Sequence, residues 1–270
     1  MLSGKEFLAE INGLKVAPGQ CALWWMGQQS YVIKSSTEVL YLDLFLTEMS
    51  ARRTPPLLAP AEVTNATMFF GSHDHIDHID RAIWPALAAA SPQASFVLPE
   101  ALKPGIAQTC KIPPARLLGV NDGQTVTHRD VRITGVASAH EFLDYDESTG
   151  LYPHLGFIIQ TGDVTIYHAG DTCLYEGLSA KLRQWKLDVM LLPINGRDAV
   201  RLKSGCIGNM TYQEAVDLAG VVKPRVVIPG HWDMFAHNSA NPRDFLEYYT
   251  YKYPGQKAII PKPGEAMILP

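Results

Sequence analysis

Three imidazoles and a carboxylate crowd into six residues, His73-Asp74-His75-Ile76-Asp77-His78, and few folds have a place for such a cluster. Residues 67–71 before it are a short apolar run of strand type. Residues 81–88 after it read as a helix with Asp80 as its cap. The cluster therefore occupies a strand-to-helix loop. Side chains of an extended stretch repeat every second residue, so His73 and His75 share a side, while Asp77 and His78 lie past the bend. Asp74 points away and reads as a neighbouring or surface residue. Service in core or surface fits a lone histidine better than three in six positions. One loop feeding two adjacent cations is the simplest reading. Its donors are nitrogen and oxygen without thiolate, which suits zinc, manganese or iron.

Composition narrows the setting. In 270 residues, 47% hydrophobic and 19% charged, there is material for a substantial core. The net charge of −4 and the lack of a basic block exclude a nucleic-acid backbone as partner. Cys21, Cys110, Cys173 and Cys206 are scattered with no C-x-x-C pair, which argues against a disulfide framework and a cysteine zinc site. The first residues lack the apolar stretch of a secretory signal, and no apolar run approaches the roughly 18 residues of a membrane span. The expectation is a soluble, cytoplasmic protein with reduced thiols and no membrane partner. A symmetric homo-oligomer, a common arrangement, is compatible with this reading.

Along the chain, a short helix to Leu14 precedes strand-like runs at 21–26, 30–34 and 39–44, with Trp24-Trp25 as core packing. Residues 49–59 read as a loop. Then come helix 80–90, strand 95–98, helix 99–110, strand 116–120 and strand Val131–Ala137. In the second half, 155–160 and Val164–His168 form a hairpin around Thr161-Gly162-Asp163. Helix 176–186, strand 188–194, helix 211–222, strand 225–229, helix 242–251 and strands 257–260 and 265–269 follow. Thr211 with Glu214 is a capping-box signature. No linker interrupts the chain. Hairpins mixed with strand–helix alternation predict two sheets with helices outside, in one α/β domain spanning 1–270.

A two-metal site needs further ligands, and strand ends are where a rigid sheet presents them. His140, Asp171 and His231 each end an apolar strand, the latter two just after a glycine; each alone also reads as an ordinary loop residue. The order His73-x-His75-x-Asp77-His78, His140, Asp171, His231 resembles the metallo-β-lactamase superfamily. That resemblance implies a four-layer αβ/βα sandwich of two mixed sheets with helices on the outer faces and metals at one edge. It also implies two divalent cations. His73, His75 and His140 would hold one, Asp77, His78 and His231 the other, and Asp171 would bridge them. Residues 16–19, Trp24-Trp25-x-Gly27, Ser72-His73-Asp74-His75, Tyr167-His168-Ala169-Gly170-Asp171 and Val226-Val227-Ile228-Pro229-x-His231 resemble the UlaG-like branch, whose named member is an L-ascorbate-6-phosphate lactonase.

What this implies is a metal-dependent hydrolase. A water held between two cations would be acidified and attack an ester carbonyl, with Asp77 or Asp171 relaying the proton. The expected substrate is a small, phosphorylated or unphosphorylated sugar-acid lactone such as L-ascorbate 6-phosphate. Arg197, in a loop after strand 188–194, is placed to grip a phosphate, although a solvated loop with ordinary surface charge explains it equally well. Asn195, Asn209, His154 and Trp232 are further candidate substrate contacts. His168 is expected behind the ligands, and His237 near the pocket or exposed. The alternatives are a two-metal phosphodiesterase and a non-catalytic ligand-sensing domain; the second is disfavoured because every expected ligand position is filled.

Overall fold

A computed structural model describes residues 2–270. The first half runs α1 (Gly4–Gly13), β1 (Cys21–Trp25), β2 (Tyr31–Lys34), β3 (Val39–Leu42), β4 (Met68–Phe70), α2 (Trp84–Ala90), β5 (Ser95–Pro99), α3 (Lys103–Cys110) and β6 (Leu117–Val120). The second runs β7 (Thr125–His128), β8 (Val131–Ala137), β9 (Leu155–Thr161), β10 (Val164–His168), α4 (Leu178–Leu182), β11 (Val189–Pro193), α5 (Ala199–Lys203), α6 (Tyr212–Val222), β12 (Val226–Gly230), α7 (Pro242–Lys252) and β13 (Ala266–Leu269).

The strands form two mixed sheets, one ordered β13-β1-β2-β3-β4-β5-β6 and the other β12-β11-β10-β9-β8-β7. Hairpins give the antiparallel parts, and strand–helix alternation through α2 and α3 gives the parallel run β3 to β6. Alternation along the strands assigns each face. Leu23, Trp25, Ile33, Leu42 and Phe70 pack between the sheets against Ile133, Phe157, Ile159, Ile166 and Leu191. Their neighbours Trp24, Tyr41, Phe69 and Phe96 turn outward under Phe7 and Ile11 of α1, Trp84 and Leu87 of α2, and Ile106 of α3. On the far side Ile158, Tyr167, Met190 and Val227 pack under α4, α6 and α7. This is the helix–sheet–sheet–helix order anticipated from the sequence, with the core in three apolar layers.

Local differences have physical reasons. The helix expected over 80–90 begins at Trp84, because Asp80 is buried and turned inward, accepting from the Thr47 hydroxyl (2.8 Å) and amide (2.9 Å) instead of capping. The helix expected over 176–186 is only Leu178–Leu182. Residues 257–260 make a single bridge, Val227 to Ala258, and no strand. Thr211 does close a capping box with Glu214 at the start of α6. No helix of the described residues is long and apolar enough to cross a membrane, and their four cysteines are free.

Candidate metal centre

The C-terminal ends of β4, β8, β10 and β12 meet along one edge between the sheets. Each is followed by ligand-type side chains: His73 to His78 after β4, His140 after β8, Asp171 after β10, and His231 after β12. The turn into Asp171 needs Gly170, whose φ is +58° and whose Cα lies so close to Ser72 that an added Cβ would sit 2.6 Å from the Ser72 Cβ. Around the same edge, Gln28, Asp43, Glu141 and His231 all adopt positive φ without being glycine. Such backbone costs free energy and persists only where the surroundings enforce it.

The side chains converge in two groups with a shared middle. In the first, His75 Nδ1 lies 3.0 Å from His73 Nε2 and 3.1 Å from His140 Nε2. In the second, Asp77 Oδ2 lies 3.7 Å from His78 Nε2 and 3.5 Å from His231 Nε2. Asp171 stands between them. One of its oxygens is 3.3 Å from His78 Nε2, the other 3.1 Å from His231 Nε2, and it also groups with His73 and His78. A four-coordinate cation with bonds of about 2.0–2.1 Å holds its donors roughly 3.3 Å apart, so these spacings fit. His78 Nε2 and Asp171 Oδ1 are buried and face each other, with no other hydrogen-bond partner to compete for a cation. The donor set is imidazole and carboxylate; Cys173 Sγ instead lies 3.7 Å from the Gly208 carbonyl.

The electrostatics of the two groups differ. Burial drives His73 well below the usual imidazole range and takes His140 down to about 4, so both present lone pairs at neutral pH. His78 and His231 are equally buried, but the facing carboxylates outweigh desolvation: Asp171, Asp77 and Asp43 raise His78, and Asp171 with Asp77 takes His231 up to about 9. The second group is therefore a field that calls for positive charge.

Two residues that sequence reasoning missed hold this arrangement. Asp43 follows β3 and is fully buried. Its Oδ2 accepts from His78 Nδ1 (2.6 Å), His168 Nε2 (2.9 Å) and the Ser72 hydroxyl (2.7 Å), and its Oδ1 from the Ser72 amide (2.8 Å). Burial alone would raise its pKa, yet His168 and His78 bring it to about 2. With its proton fixed on Nδ1, His78 offers Nε2 to a cation. Gln28, in the β1–β2 turn, donates from Nε2 to Asp77 Oδ2 at 2.7 Å. The only advance signal for Asp43 is its place at the end of an apolar strand; Gln28 had none beyond the turn it occupies.

The expected substrate contacts need correction. Arg197 is not free for a phosphate: Glu214 receives its two terminal nitrogens at 2.6 and 2.8 Å. Asn195 and Asn209 are buried and bonded to each other, with Asn195 also donating to Asn238. Trp232 stacks on Trp25 at 4.7 Å and donates to the Pro229 carbonyl. All four side chains are thus engaged with neighbours in the fold. His154 does stay beside the first group, its ring 5.4 Å from that of His73 and 5.5 Å from that of His140. His168 sits behind the ligands on Asp43, and His237 lines the cleft. Asp74 pairs with Arg81 at the surface. The cleft over the two groups has a volume of about 380 Å³, and Asp77 and Asp171 are its only carboxylates among the described residues.

Residues 40–232 match the model of a family described as Beta-lactamase superfamily domain. A UPF0173 metal-dependent hydrolase of Pyrobaculum calidifontis is 26% identical over 251 residues, covering 91% of this chain and 98% of the relative. Among solved structures, Igni18, a metallo hydrolase from Ignicoccus hospitalis, superposes with a TM-score of 0.70 at 20% identity, covering 92% of this chain and 98% of its own. An isothiocyanate hydrolase from Delia radicum gut bacteria gives 0.69 at 15% identity, covering 91% and 98%. These likenesses to solved structures establish the shared fold.

Proposed function

The chain belongs to the Beta-lactamase superfamily domain family, and from that premise we propose that it is a metal-dependent hydrolase that opens small, uncharged lactones or related esters. The observation that carries the reading is the convergence of seven ligand-type side chains from four strand ends on one cleft. His73, His75 and His140 would hold one divalent cation, Asp77, His78 and His231 a second, and Asp171 would be shared. Zinc, manganese and iron all suit these donors. When bound, the cations supply Lewis acidity and an acidified water near neutral pH.

The chain's own groups do the rest. Asp77 and Asp171, the carboxylates lining the cleft, would take a proton from the attacking water and return it to the leaving oxygen. Gln28 holds one oxygen of Asp77 in place, and Asp43 fixes the tautomer of His78. Among the described residues no lysine or arginine lines the cleft, and Arg197 is neutralised by Glu214. A phosphorylated substrate such as L-ascorbate 6-phosphate would find no cationic side chain there to hold its phosphate away from the cations, which favours an uncharged one. The test is metal analysis of protein purified without added metal, then turnover of unphosphorylated lactones, L-ascorbate-6-phosphate lactone, simple esters and a phosphodiester. The expected outcome is chelator-sensitive hydrolysis of the uncharged lactones and esters. Failure of the metal-loaded protein on every carbonyl substrate would sink the proposal, and preferential phosphodiester cleavage would replace it.

A further inference from the structure

Beside the metal cleft lies a second cavity of about 400 Å³. Cys206 and Ile207 line both, so one segment walls the two neighbouring spaces. Phe142, Ala199, Leu202 and Ile207 give the second cavity an apolar wall. Its charged groups are mostly occupied with one another. Arg197 is held by Glu214, and Asp198 caps α5 through the Val200 and Arg201 amides while binding the Arg201 side chain. Glu141 remains, exposed at the rim.

Two of the large apolar residues on this wall, Phe142 and Leu202, are exposed. No residue of α5 is buried, and its Leu202, on the cavity wall, is 48% exposed. Phe142 is 69% exposed, and Ile76, which lines the neighbouring metal cleft and not this cavity, 48%. Scattered single apolar residues are ordinary on a surface, but several around one concavity mark a binding site. The wall is also tied to the metal centre. His140 and Phe142 are bridged across the turn at Glu141, whose φ is +69°. A group packed on Phe142 thus sits two residues from a candidate ligand.

We infer that this cavity seats an uncharged alkyl or aryl group of the substrate, held beside the carbonyl that enters the metal cleft. The inference rests on the hydrolase reading and narrows it to lactones or esters bearing an apolar tail. A volume of about 400 Å³ lies in the range of small-ligand pockets, roughly 300–1,000 Å³.

The test is a series of γ-lactones substituted with alkyl chains from methyl to octyl, assayed on metal-loaded protein. The expected kcat/KM rises roughly fourfold per methylene until the cavity is full, the factor that ~0.8 kcal/mol per buried methylene gives. In Leu202→Asp the octyl-to-methyl ratio should fall at least about tenfold, a charge now standing where the tail lies. Binding of the neutral dye Nile red, displaced by decan-1-ol, reads the cavity without catalysis, and Phe142→Ser should weaken it alongside Leu202→Asp. Hydrolysis with a flat chain-length profile and no dye binding would overturn the inference and leave the hydrolase reading standing. Dye binding lost in both variants, with no lactone or ester hydrolysed, would support the apolar site and remove the hydrolase reading.

Discussion

Asp43 is the residue on which most of the metal centre's order depends. One buried carboxylate accepts from two histidines, a serine hydroxyl and a backbone amide, and no cation needs to touch it. In Asp43→Asn the shape is kept, but one acceptor oxygen becomes an NH2 group that faces donors. The expected outcome is a loss of about 1–3 kcal/mol of stability in urea unfolding, and metal affinity weakened about 10–100-fold in a competitive chelator titration. Unchanged affinity would mean that His78 needs no such partner. The difference in legibility between ligands and supports follows from the same geometry. His73, His75, Asp77 and His78 announce themselves because four donors share one loop. Asp43 acquires its role only when β3 and β4 pair in parallel, Leu42 opposite Phe70, which brings it beside Ser72. Arg197 misled for the converse reason. Its charge is visible in the sequence, but its partner Glu214 arrives from the first turn of α6.

Among the elements, strands were easier to anticipate than the helices beside them. The inner strands of this sandwich are buried on both faces, and Leu155–Thr161 and Val189–Pro193 show that as largely apolar runs. Short helices such as α4 and α5 have too few turns for a period to register. The strand ends, where the chain must turn sharply to present a ligand, carry the tightest steric demand. At the end of β10, Gly170 meets that demand with a left-handed backbone and no side chain against Ser72. Gly170→Ala should lower stability by about 1–3 kcal/mol from the backbone alone, more from the contact, and displace Asp171. The urea midpoint should fall with little change in slope, and bound metal per chain should fall with it. A variant as stable and as metal-loaded as the parent would show that the β10 turn has slack.

For the whole molecule, the two-sheet order followed from sequence pattern, because hairpins and strand–helix units leave few ways to bury so many apolar strands. What pattern does not convey is how the sandwich tolerates its open edge. There it buries His73, His78, His231 and Asp171 together, with Asp43 behind them. Ionised or unpaired groups at such density oppose folding unless something neutralises them. Cations binding only the folded chain would do so, and their binding free energy then adds to stability. At a free metal concentration about 100 times the dissociation constant, each site contributes ~2.7 kcal/mol. For a chain of 270 residues, with an unfolding entropy of ~2.1 cal/mol/K per residue, that raises the melting temperature by roughly 5 °C per filled site. Calorimetry with and without a chelator should therefore show a metal-dependent rise of roughly 5–10 °C, and Asp171→Ala, lacking the shared ligand, should retain at most half of it. A melting temperature indifferent to zinc, manganese and iron would mean that the edge is stabilised by its own protons and hydrogen bonds, and the two-cation reading of the cleft would fall with it.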